Sequence, residues 1–133
     1  MLETLKQYGE EKLKEAGRTG EIISKHLDYY MELSEEAEPK LKSSESKIWL
    51  EILESDHDNF QTAIIRSVYD NEWEKGSRLA GALGRFWKIR GHQSTGRKLL
   101  DSVLGNEKEL SSPVLRKILS WSGILSHDQG EYE

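Results

Sequence analysis

Apolar residues recur at spacings of three and four along nearly the whole chain, and no run alternates with the period of two that marks a half-buried strand. This pattern predicts an all-α fold. Leu2, Leu5, Leu13 and Ala16 mark a first helix that Gly17 can stop, because glycine adopts the left-handed conformation at a helix C-terminus. Thr19 offers an N-cap oxygen to a second helix with the stripe Ile22, Ile23, Leu27, Tyr30, Leu33 and Ala37, which Pro39 is expected to end. A third helix starts at Ser44 and Glu45 and presents Ile48, Trp49, Ile52 and Leu53. The polar cluster from Glu54 to Asn59 interrupts that stripe. Its Ser, Asp and Asn side chains compete for the backbone, so the spacing predicts a break there, with Ser55 or Asp56 capping a fourth helix. Phe60, Ala63, Ile64 and Val68 form the core face of that helix and Asn71 its terminator. The next helix is expected from about Trp73 to Arg90, stopping at Gly91.

Self-similarity adds organisation to these elements. Leu83-Gly84 through Gly91 aligns with Ser122-Gly123 through Gly130 at one offset of 39 residues, which predicts a repeated helical hairpin. The registers resemble the tetratricopeptide pattern. In that pattern a small residue of helix A lets helix B approach, an aromatic follows three positions later, and a small residue sits in helix B. Gly84, Trp87, Gly91, Gly96 and Leu100 fill those places, and Gly123 and Gly130 recur in the second copy. The expected fold is a right-handed stack of antiparallel helical hairpins, a tetratricopeptide-like superhelix of about six helices. Residues 1–133 then form one helical domain, with 1–72 as an N-terminal adaptor layer and 73–133 as repeats of which the last is cut short.

The chain has 133 residues, of which 35% are hydrophobic and 32% charged, a balance that suits one core and one domain. Cysteine is absent, which excludes a thiol nucleophile, a cysteine-ligated zinc and an iron–sulfur cluster, and favours a cytoplasmic location. No apolar run approaches the length of a membrane span, so no membrane partner is expected. The net charge of −5 is unevenly spread: residues 1–72 carry 9 basic against 17 acidic side chains, and residues 73–133 carry 10 against 7. An acidic first half argues against a polyanion-binding surface over the whole chain, and direct nucleic-acid binding is not expected.

Four stretches, MLETLKQYGEEKL, HLDYYMELSEEAEP, WLEILESDHDNFQTAI and GALGRFWKIRGHQSTGRKLL, make the chain resemble one region of the STAND-class signal-transduction ATPases. That region is the helical segment following the winged-helix domain in these regulators with tetratricopeptide tails. The resemblance implies a scaffold without activity of its own, an arm that couples a sensor or partner to an ATPase switch in signalling and transcriptional regulation. It implies a protein partner or adjoining domains of the same polypeptide.

Arg85, Lys88, Arg90, Arg97 and Lys98 place five cations in a short stretch of an otherwise acidic chain, a candidate docking patch for an acidic partner, an adjoining domain or, as the lesser alternative, nucleic acid, set against the default of a solvated helix face. Gly91 to Lys98 approaches a phosphate-binding loop. Arg97 stands where that pattern has Lys, however, and the segment follows a helix rather than a strand, so no ATP binding is expected. His26, His57, His92 and His127 lie at least 31 residues apart, without the i, i+4 spacing that puts two imidazoles on one metal. Asp56-His57-Asp58 is the densest ligand cluster, but neighbours on a helix point in different directions, so helix capping is its expected task. No nucleophile motif is present. No catalytic, cofactor or metal site is therefore assigned from sequence. Trp49, Trp73, Phe86 and Trp87 read as core anchors. An uncapped last repeat would leave an apolar helix face open, and a homodimer through the C-terminal end is the expected consequence.

Overall fold

The computed structural model describes residues 24–131; the expected first helix, the Thr19 cap, Ile22 and Ile23 lie outside the described residues. Among the described residues every regular element is helical, with no strand. Helix α1 covers residues 24–40. It is followed by α2 (Ser46–Ser55), α3 (His57–Tyr69), α4 (Trp73–Ala82), α5 (Gly84–Arg90), α6 (Gln93–Val103), a 3-10 turn (Leu104–Glu109) and α7 (Ser112–Glu131). No helix among these residues is long and apolar enough to cross a membrane.

Local chemistry explains most boundaries and corrects two expectations. Helix α1 ends at Lys40, one residue past Pro39 as expected, and Leu41 N–H to Ala37 O and Lys42 N–H to Pro39 O close its last turn. The break between α2 and α3 falls at Asp56, as the polar cluster predicts, yet the Asp56 carboxylate makes no capping bond to the backbone. It accepts instead from Asn59 Nδ2 at 3.0 Å and, at 3.5 Å, from the Tyr30 hydroxyl. The single helix expected over 73–90 divides at Leu83, whose N–H bonds to Ala80 O rather than one residue further back. Gly81 and Gly84 flank that point, and glycines weaken a helix where the backbone turns.

Two turns use the left-handed conformation. Asn71 has φ +58° and Gly91 φ +77°. At Gly91 the turn lets His92 N–H reach Trp87 O at 2.8 Å and sends α6 back against α5. A β-carbon at Gly91 meets no close neighbour, so its cost is conformational. Gly91→Ala is expected to lower unfolding free energy by about 1–2 kcal/mol, measured by urea denaturation.

The core is continuous from α1 to α7. Leu27, Met31 and Ala37 of α1 join Leu53, Phe60, Ile64, Leu79, Leu83, Phe86, Trp87, Leu99, Leu100, Val103, Ile118 and Leu125. Of the expected anchors, Phe86 and Trp87 are fully buried and Trp49 packs partly buried against the cluster, whereas Trp73 is partly exposed and outside it. Helix α6 packs on α4, α5 and α7, while α7 also packs on α4 and α5 and α3 lies against α4 and α6.

The uneven charge closes within the fold. Asp28 and Glu35 of α1 pair with Lys75 and Arg78 of α4 at 2.9 and 2.6 Å, and Glu38 pairs with Lys117 of α7 at 2.6 Å. Glu51 and Glu54 of α2 lie 3.1 and 3.8 Å from the Arg90 guanidinium. Hydrogen bonding to Asp28 and Glu35 holds Lys75 and Arg78 above their ordinary pKa ranges.

Candidate functional site

Three helices meet around an open groove of about 490 Å3, lined by Glu38 and Pro39 at the end of α1, Lys42 just beyond it, Arg85 of α5, and Lys117 and Trp121 of α7. The small size of Gly84 builds this place. A β-carbon at Gly84 would overlap the Trp121 indole, so the glycine lets α7 lie close to the junction of α4 and α5. The Trp121 ring is thereby held at the groove wall, 5.7 Å from the Arg85 guanidinium carbon, within cation–π range. Lys117 is neutralised by Glu38. No carboxylate of the described residues pairs with Arg85 or Lys42.

The other four cations of the sequence patch are dispersed. Lys88 reaches Asp128 at 2.8 Å, Arg90 binds Glu51 and Glu54, and Arg97 donates to Gln129 at 3.3 Å. Lys98 is exposed. Thus Lys88, Arg90 and Arg97 make contacts between helices, and Arg85 is the patch member that lines a concave surface.

The glycine positions also separate by role. Gly96 accommodates the A/B packing, since a β-carbon there would lie 2.7 Å from Trp87 Cδ2 and Cε3 and 2.9 Å from Leu125 Cδ1. Leu100 is fully buried beside it. Gly84, expected to admit helix B, admits Trp121 of α7 instead. Gly123 and Gly130 are exposed, with nothing within 4 Å of a β-carbon, and Gly130 lies inside α7 without the positive φ of Gly91. The glycines of the 39-residue offset therefore do not share one structural task.

A second cluster escaped the sequence reading. His92 Nε2 lies 3.1 and 3.0 Å from the two carboxylate oxygens of Glu54, and the His57 and His92 rings are 4.2 Å apart at 34°. Phe86 lies 5.5 Å from both imidazoles. Burial, with His92 adding to it, pushes His57 below its ordinary imidazole pKa, so it is neutral at pH 7. Its Nε2 is buried without a hydrogen-bond partner. Two local signals foreshadow the cluster: His57 stands at a predicted helix break and His92 directly follows a glycine turn. The histidine spacing test missed it because Glu54 and His92 are 38 residues apart. No family model, no curated protein and no solved structure matches this chain.

Proposed function

We propose that this chain is a non-catalytic protein-interaction scaffold, a tetratricopeptide-like stack whose groove at Arg85 and Trp121 receives an acidic segment of a protein partner or of an adjoining domain. The observation that carries the reading is the groove itself. Arg85 and Lys42 supply positive charge without a partner carboxylate in the described residues, beside an indole face able to take an apolar side chain. The hairpin reading draws further support from Gly96 against Trp87, and from Trp121 following Trp87 by 34 positions, the tetratricopeptide period. The resemblance in the four stretches quoted above makes this scaffold the coupling arm of a larger STAND-type ATPase regulator. A stand-alone adaptor is the second reading. Leu119, 48% exposed on α7, favours a further helix or a second copy covering that face, as the homodimer reading requires.

The test is fluorescence anisotropy with labelled peptides rich in Asp and Glu around one aromatic residue, each matched to its Asn/Gln counterpart. Binding is expected for acidic members only and should fall as salt rises. Arg85→Glu should weaken it at least about tenfold, the loss of one desolvated charge contact. Equal binding of acidic and neutral peptides, or no effect of Arg85→Glu, would sink the groove assignment. An immunoblot of the native product separates the two contexts: a band at the mass of this chain means an adaptor, and a much larger one an arm.

A further inference from the structure

We propose that Glu54, His57 and His92 form a binding site for one divalent transition-metal ion of the zinc type, which would tie the α2–α3 corner to the turn between α5 and α6. One donor atom from each residue lies within 4.8 Å of the other two. A tetrahedral ion with bonds of about 2.0–2.1 Å needs its donors about 3.4 Å apart, so the set closes by small side-chain rotations. His92 and Glu54 already meet that spacing at 3.0–3.1 Å.

The donor chemistry selects the ion class. Two imidazoles and one carboxylate suit zinc, cobalt and nickel, whereas magnesium and calcium prefer oxygen donors throughout. The orphaned Nε2 of His57 is a group that a buried site ordinarily satisfies, at a cost of about 1–3 kcal/mol when it does not. Coordination by either ring nitrogen would fix the ring, and Phe86, 5.5 Å from both imidazoles, forms an apolar wall on one side. Arg90 Nη1, 3.8 Å from Glu54 Oε1, is the one lysine or arginine of the described residues in ion-pair contact with the set. Its shorter contact, 3.1 Å, goes to Glu51, which leaves the Glu54 oxygens to the imidazoles.

All three residues are partly exposed, so the fourth position opens to water. With three ligands from two separate segments, the ion would add a cross-link between helices that already share the core. The backbone supports the arrangement from both sides. The Asp56 break turns Glu54 and His57 toward one another, and the left-handed Gly91 sets His92 at the start of α6.

The untagged full chain, stripped with a chelator, is titrated with Zn2+ by calorimetry and with Co2+ by visible absorption. One equivalent per chain is expected, with the strong visible bands of four-coordinate cobalt. Loss of an outer-sphere partner alone weakens a metal site about 10–100-fold, so His57→Gln, His92→Gln and Glu54→Gln should each weaken binding at least about tenfold, while His127→Gln leaves it unchanged. Circular dichroism checks each fold, and His92→Gln, at the start of α6 and outside the core, keeps the test open if His57→Gln does not fold. Absence of one-to-one binding, or binding that survives all three substitutions, overturns the proposal and leaves a plain imidazole–carboxylate pair beside a stacked histidine.

Discussion

Trp87→Ala is expected to destabilise the fold by about 3–5 kcal/mol, read as a fall in the urea midpoint. The indole is fully buried where α5, α6 and α7 converge, and Gly96 and the helices around it were shaped to its volume. Alanine would leave a cavity that none of three helices can collapse into without losing contacts of its own. A loss of this size is a large share of the stability of a domain of this length. Trp87→Phe should cost less than half as much. It keeps an aromatic ring in place and removes the indole Nε1, which is buried here without a hydrogen-bond partner. A phenylalanine variant as unstable as the alanine variant would show that Nε1 is satisfied in solution, by a water for instance.

Gly96→Ala tests the same contact from the opposite side. On an open helix surface the change would stabilise by up to about 1 kcal/mol, because alanine is the better helix former. Here the new methyl would sit 2.7 Å from two atoms of a ring that cannot move outward, and overpacking of that kind costs about 1–3 kcal/mol. The clash wins, and a net loss of about 1–2 kcal/mol is expected. Of the clashing atoms, Cε3 belongs to the benzo ring that phenylalanine lacks, whereas Cδ2 has a counterpart there and Leu125 Cδ1 stays 2.9 Å away. In a Trp87→Phe background the same alanine should therefore cost less, a coupling of about 0.5–3 kcal/mol between the two sites in a double-mutant cycle. Simple additivity would mean that the glycine serves the backbone and not the ring.

Helix class and the positions of most turns were legible in the sequence, because they follow from local chemistry. The period of three to four, the Asp56 break, the terminator at Asn71 and the stop at Gly91 each depend on a few neighbouring residues. The split at Leu83 was not legible in the same way, since hydrogen bonds one turn away decide whether the helix continues. The functional reading divides along the same line. Five cations close in sequence looked like one patch, but a helix spreads consecutive residues around its axis, and Asp128, Glu51 and Gln129 from distant segments took up three of them. Trp121 and Lys117 could join Arg85 in a groove only once α7 had folded across α5. The Glu54–His57–His92 cluster was hidden for the same reason, as two hairpin corners had to converge before the imidazoles met.

The pairing of acids in α1 and α2 with bases in α4, α5 and α7 has a consequence for how the chain is made. Each exposed pair contributes little to stability, about 0–1 kcal/mol, so the set matters less as glue than as a guide to partner choice. During synthesis the first 72 residues emerge first, with eight more acidic than basic side chains. Mutual repulsion then keeps that segment hydrated and discourages it from sticking to copies of itself on neighbouring ribosomes. The complementary cations arrive only with the second half, and the partners lie 36 to 79 positions downstream of the acids they meet. Collapse is thus held back until the segment able to complete the core has been made, and the charges that delayed it become the contacts that align α1 with α4 and α7.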